Sequence, residues 1–199
     1  MTAPVPLILA SGSAIRAQLL ARAGLSFSIL RPDVDEAELK SRFGQSSPAG
    51  LAATLAEAKA SAVSRTHPDA LVIGADQVLN FAGQPHDKPS SIAEARAQLI
   101  RFRGKTHALE TAVCCCRSGR PVWSHAMHAD LTMREFTDAF LDSYLESLGE
   151  DVLTSVGGYK LEERGIQLFS GIEGDYFGIL GLPLLPLLAF LRNEGLIAP

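Results

Sequence analysis

Along this chain the spacing of apolar residues switches repeatedly between the alternation of a strand and the three-to-four-residue recurrence of a helix. Residues 7–10 are a short apolar run and predict a buried strand. Ser13 then caps a helix in which Ile15, Leu19 and Ala23 share a face and which Gly24 stops. Phe27 and Ile29 alternate with Ser26 and Ser28, as in a half-buried strand. Beyond an acidic turn at 33–38, Ser47 and Pro48 open a helix carrying Leu51, Leu55, Ala58 and Ala62 on one side, with Pro68 past its end. Residues 71–73 run unbroken into Gly74, Ala75 and Asp76, which predicts a buried strand ending at a carboxylate; Val78, Leu79 and Phe81 fit a second short strand. Ser91 and Glu94 have capping-box spacing for a helix to about Phe102, ended by Gly104. Residues 106–116 and 122–132 read as a hairpin joined at Ser118-Gly119. The remainder gives a helix over 136–148, a loop at Gly157-Gly158, a strand over 166–169 and a closing helix over 184–192. Strand and helix alternate from end to end without linker or repeat, which predicts an α/β fold in a single domain spanning 1–199.

Composition narrows the function classes. With 47% hydrophobic and 20% charged residues, the 199-residue chain can bury a core and is not a disordered segment. Eighteen Lys and Arg against 22 Asp and Glu give a net charge of −4, so bulk charge offers nothing to nucleic acid. Cys114, Cys115 and Cys116 are adjacent and alternate faces on a strand, which suits packing better than a metal or disulfide framework. The apolar stretch 179–191 is too short for a membrane span and is broken by Pro183 and Pro186, and no basic segment precedes the first apolar run. The expectation is a cytoplasmic protein with neither membrane nor nucleic-acid partner. The late apolar residues 184–190 fit the core, with a homodimer face as the alternative.

Several groups of residues carry chemistry. Ser11 to Arg16, SGSAIR, lies between a strand and a helix, where unpaired backbone N–H groups and the helix dipole favour an anion. Arg16 in the first helical turn opposes that dipole by roughly 0.3–1 kcal/mol, which a bound anion would offset. A Ser cap beside a solvated Arg accounts for the same residues. DVDE, 33–36, with Glu38 beyond, gathers carboxylates suited to a divalent cation, although acidic turns are commonly only wet loops. Lys59 lies about 40° from Leu55 around its helix, at the border of the apolar face, where a snorkelling lysine would also sit. Asp76 ends an apolar strand, where α/β sheets present ligand-binding groups, or simply caps a turn. Lys88 in a DKP turn could meet a phosphate or only water, and Glu162, Glu173 and Asp175 are loop acids.

Taken in order, SGSAIR, DVDE, LAEAKA, IGADQ, KP, GKTH, GGY and IEGDYFGILGLPL resemble the Maf family of nucleoside triphosphate pyrophosphatases, from Leu7 to about Gly195. The resemblance implies a mixed twisted sheet flanked by helices in two lobes with a central cleft, an ITPase-like arrangement. It also implies cleavage of a nucleoside triphosphate to monophosphate and pyrophosphate with a divalent metal cation, Mg or Mn. Carried over residue by residue, Asp76 is the proton acceptor, with Lys59, Lys88 and Glu36 as its catalytic partners. Ser11, Ser13, Arg16, Gln77, Glu162 and Ile15 contact substrate, and Glu36 with Asp76 engages the metal.

The family divides into a branch acting on dTTP and UTP, usually with Thr after the catalytic Asp and Gln in the late loop, and a 7-methyl-GTP branch with Gln and Glu there. This chain has Gln77 and Glu162. One carboxylate can accept both N1–H and N2–H₂ of a guanine, whereas uracil offers a single donor between two acceptors. The resemblance therefore implies 7-methyl-GTP or a similarly modified purine nucleotide, with dTTP and UTP as the alternative. Ile15 and Ala14 depart from the first motif, where the branches have Arg or an aromatic preceded by Pro, so base stacking from Ile15 does not carry over. A nucleotide-binding regulator of cell division with little catalysis is the alternative from another class. No G-x-x-x-x-G-K-[ST] loop and no H-E-x-x-H pair is present, which argues against a P-loop enzyme and a zinc hydrolase.

Overall fold

Strand β1 (Leu7–Ala10) pairs in parallel with β2 (Ser28–Ile29) on one side and with β3 (Leu71–Phe81) on the other. Beyond β3 the sheet is antiparallel: β5 (Thr106–Arg117), β6 (Arg120–Met133) and β7 (Phe169–Glu173) follow in order, and the short β4 (Gln84–His86) also pairs with β3. Helices α1 (Ala14–Arg22), α2 (Glu36–Arg42), α3 (Pro48–Thr66), α4 (Ile92–Phe102), α5 (Asp138–Leu148), α6 (Tyr176–Ile179) and α7 (Leu184–Asn193) join these strands, with short 3-10 turns between α5 and β7, so the fold is the expected mixed α/β sheet flanked by helices. This computed structural model describes residues 5–42 and 47–198; the parts of the 1–199 domain at 1–4, 43–46 and 199 lie outside the described residues. No helix among the described residues is long and apolar enough to cross a membrane.

Local chemistry explains most boundaries. Ser13 Oγ accepts from Arg16 N at the start of α1, Ser47 Oγ from Gly50 N at α3, and Ser91 Oγ from Glu94 N at α4. Glu94 turns its carboxylate to Ser90 N and Ser90 Oγ instead of closing a reciprocal box on Ser91. Three expectations are corrected. The acidic turn at 33–38 continues into α2, whose first turn is capped by Asp35 Oδ1 accepting from Glu38 N at 2.9 Å. Residues 166–169 are mostly a 3-10 turn, Arg164–Leu168, and the strand begins at Phe169.

The third correction matters most for the site: β3 does not break at Gly74 and Asp76 but runs unbroken for 11 residues. Gly74 is there because α3 lies on it. A Cβ at Gly74 would collide with the Ala56 carbonyl oxygen and stand 2.6 Å from Ala60 N. The missing side chain lets the helix backbone reach the sheet.

Two cores cover the two faces of the sheet. On one, Leu51, Leu55, Ala56, Ala60 and Val63 of α3 pack on Ile8, Val72, Val78, Ala112, Cys114 and Cys116. On the other, the larger cluster joins Leu9, Ile73, Leu79, Leu109, Val113 and Cys115 to residues of α1, α4, α5 and α7. The three cysteines thus divide between the faces and are all buried, as strand packing requires. In α7, Leu184, Leu187, Phe190 and Leu191 are buried in this core and Leu185 is exposed.

One edge of β3 is left partly open. Its β5 side is occupied at residues 72–80, so β1, at 71–74, and β4, at 79–81, must share the other edge. Residues 75–78 have no strand neighbour on that edge, and Asp76 lies in the gap.

Candidate active site

Asp76 shares its sheet face with Gly74 and Val78, and therefore points toward α3. There it meets Lys59: Nζ donates to Asp76 Oδ1 at 2.6 Å and stands 2.9 Å from Glu36 Oε1. Lys59 and Asp76 are each only 8% exposed, whereas the Glu36 carboxylate is half-exposed. Lys59 therefore does not snorkel. One ammonium links α3 to a carboxylate from β3 and another from the first turn of α2, leaving the trio with one more negative charge than positive. A buried pair of this kind is a poor stabiliser in itself, because desolvation offsets much of the attraction.

The β1–α1 loop closes the next side. Ser11 is buried, and its Oγ accepts from Ser13 N and from Arg16 Nη1, both at 3.2 Å. Arg16 Nη1 also donates to the Ala75 carbonyl, and Nε to the Gly181 carbonyl, each at 2.8 Å. The cation in the first turn of α1 is thus compensated by backbone oxygens of β3 and of the segment after α6, and no bound anion is needed to account for it. Withdrawal from water pulls the Arg16 guanidinium below its ordinary pKa, while Asp76 and Glu36 push it back up. Lys88, exposed beyond β4, belongs to the same electrostatic neighbourhood. Partial desolvation, then the cations Arg16 and Lys59, lower its pKa, and Asp76 and Glu36 oppose them.

Five predicted residues therefore converge, Ser11, Arg16, Glu36, Lys59 and Asp76, and Lys88 lies within their electrostatic reach. Ser13 stands beside them with its hydroxyl engaged in capping α1. Gln77 points to the other face of the sheet, where its Nε2 lies 2.9 Å from Thr111 Oγ1 and 3.0 and 2.9 Å from the Gly178 and Ile179 carbonyls. This amide ties α6 to the strand that carries Asp76. Ile15 and Glu162 line a separate cavity of about 560 Å³ with Leu19, Tyr176, Phe177 and Leu180, roughly the size that holds a small organic ligand. Adjacent residues Ile15 and Arg16 thus face the cavity and the charged cluster respectively.

Sequence reasoning missed the supports. GKTH and GGY meet in the core, where His107 Nε2 and Tyr159 Oη are 2.7 Å apart. Asp175 caps α6 through Gly178 N at 2.8 Å. Thr111 Oγ1 donates to the Gly178 carbonyl, a contact that no spacing along the sequence signals. Among the described residues no group of three or more His, Cys, Asp or Glu side chains is arranged to hold a metal unaided. Glu36 and Asp76 nevertheless converge on one ammonium, and two carboxylates completed by phosphate oxygens and water suit Mg²⁺.

A mixed α/β sheet with a carboxylate in an edge gap, a strand-to-helix loop beside it and a ligand-sized cavity next door defines a small-molecule site. More particularly, residues 6–194 match the Maf-like protein family, and the chain belongs to it. It is 51% identical over 194 residues to a nucleoside triphosphate pyrophosphatase of Paramagnetospirillum magneticum, covering 96% of this chain and all of that one. It is 48% identical to a protein of that name from Maricaulis maris, over 96% of this chain and 97% of the relative, and 50% identical to one from Caulobacter vibrioides, over 96% of each.

Proposed function

We propose that this chain hydrolyses the α–β anhydride bond of a nucleoside triphosphate, releasing the monophosphate and pyrophosphate, with 7-methyl-GTP or a similarly modified purine nucleotide as preferred substrate. The observation that carries the reading is the convergence of Asp76, Glu36 and Lys59 in the β3 edge gap, beside the β1–α1 loop. The shared name of the curated relatives supports the reaction class.

In this reading the cleft between two lobes holds the triphosphate tail. Asp76 orients a water against the α-phosphorus and takes its proton as the new P–O bond forms and the bond to the bridging oxygen breaks, with pyrophosphate leaving. General-base assistance of this kind is worth roughly 10²–10⁴-fold. Oδ1 is already hydrogen-bonded to Lys59, which leaves Oδ2 as the oxygen that takes the proton. Lys88 and the N–H groups at the start of α1 meet phosphate oxygens, while Arg16 braces the loop. Glu36, with Asp76 through a shared water, would hold a divalent cation, which would stabilise charge on the phosphate oxygens and the leaving group. The base occupies the cavity beside Ile15, where Glu162 accepts from the guanine edge and a cationic 7-methylguanine adds Coulomb attraction.

Turnover of 7-methyl-GTP, GTP, dTTP and UTP with Mg²⁺, read as separate release of pyrophosphate and phosphate, tests this. Pyrophosphate is expected, fastest from 7-methyl-GTP. Faster cleavage of dTTP overturns the substrate preference, and tight nucleotide binding without product favours the regulator.

A further inference from the structure

We propose that Arg31 binds the phosphate tail of the substrate, an inference that rests on the pyrophosphatase reading. The inventory of cations around the β1–α1 loop leads to it. Lys59 is held between two carboxylates, and Arg16 is tied to two backbone carbonyls and a serine. Lys40 pairs with Asp87. The two serine hydroxyls of the loop are turned inward, Ser11 to Arg16 and Ser13 to its own helix. The deep part of the site therefore sets two cations, Lys59 and Arg16, against two carboxylates, Glu36 and Asp76, and this internally compensated cluster is a poor receiver for a polyanion unless further cations stand at its mouth.

Arg31 stands there. Its backbone is fixed at the carboxyl end of β2, since Leu30 N still donates to the Leu9 carbonyl at 3.0 Å. From that anchor the side chain folds across Gly12, the middle of the anion-binding loop. A Cβ on Gly12 would lie 3.5 Å from Arg31 Nε and 3.9 Å from its Cδ. These are ordinary van der Waals separations, so the Arg31 side chain lies against the Gly12 backbone without being forced there. Arg31 is exposed, and among the described residues it has neither an ion pair nor a hydrogen bond. A guanidinium carries five donors in a planar fork that matches two phosphoryl oxygens at once. Arg31 comes to the loop from the end of β2, so a tail seated on the β1–α1 N–H groups meets a cation there.

Steady-state kinetics on the best nucleotide of the panel, and calorimetric binding of inorganic tripolyphosphate, test this with wild type, Arg31→Gln and Arg31→Lys. Loss of a charge-assisted pair is expected to raise KM roughly tenfold in Arg31→Gln, with kcat changed less than about twofold. Tripolyphosphate affinity should fall by a similar factor, the melting temperature should hold, and Arg31→Lys should recover part of the loss. A KM and a tripolyphosphate affinity both within about twofold of wild type in Arg31→Gln overturn the role of Arg31. If wild type releases no pyrophosphate from any nucleotide, the pyrophosphatase reading fails instead, and the tripolyphosphate comparison still decides whether Arg31 binds a phosphate chain.

Discussion

The two faces of strand β3 solve opposite problems with side chains only one residue apart. Toward α3 the layer is thin: small residues of the helix meet Gly74, and the space saved admits Lys59 and Asp76 as a buried charged pair. Toward the larger core the layer is thick and aromatic, and its polar groups are neutral and tied to one another. Gln77 and Thr111 hold the carbonyls of α6, and His107 holds Tyr159. The lesson is a division of labour: one face holds charges close together, and the other fixes the backbone from which those charges project.

The sharpest way to break this comparison is Asp76→Asn, which keeps the shape and removes the negative charge. Turnover under saturating divalent cation is expected to fall by roughly 10²–10⁴-fold, with little change in the wall formed by α6. Near-normal turnover would show that the α3 face does not supply the base.

Acid challenges the opposite face. Burial, reinforced by His86 and opposed by Asp130, holds the His107 pKa down to about 4 against an ordinary 6.5. The folded chain thus keeps this ring neutral where the unfolded chain would protonate it. Stability from this source is complete above pH 6.5 and drains away as the pH falls to about 4, by roughly 3 kcal/mol. Denaturant titrations across that window should show the loss in wild type and a shallower slope in His107→Gln; equal slopes would place the acid sensitivity elsewhere.

The smallest expected effect is that of Gly74→Ala. Its added methyl meets the backbone of α3, and overpacking of this kind costs roughly 1–3 kcal/mol. The melting temperature should drop, and turnover with it, since Lys59 rides on the displaced helix. An alanine tolerated on both counts would mean that the thin layer is not what sets the Lys59 to Asp76 distance.

What was legible in the sequence was local. Serine caps, the Ser118-Gly119 hairpin and the alternating Cys114 to Cys116 are decided within a few residues, and they appear where their spacing puts them. Lys59 at the border of an apolar face was readable only as a choice between snorkelling and burial, because its two carboxylates come from distant segments. Gly74 suggested a strand end, since nothing nearby in sequence reveals a helix seated on it. Gln77 and Glu162 were paired by family pattern, yet one braces α6 and the other rims a cavity. Arg31 belongs to no motif, and its significance rests on lying across Gly12, a proximity created by the parallel pairing of β1 and β2.

The open stretch of the β3 edge has a consequence for how the molecule comes apart. Although residues 75–78 lack a neighbour on one side, the other side of β3 is zipped to β5 at nine consecutive positions, in the middle of the sheet. Local opening starts at frayed ends and thinly packed loops, so amide exchange at Asp76 waits for rupture of the whole cooperative unit. Warming can therefore loosen the rims that admit and release ligand long before it disturbs the carboxylate itself.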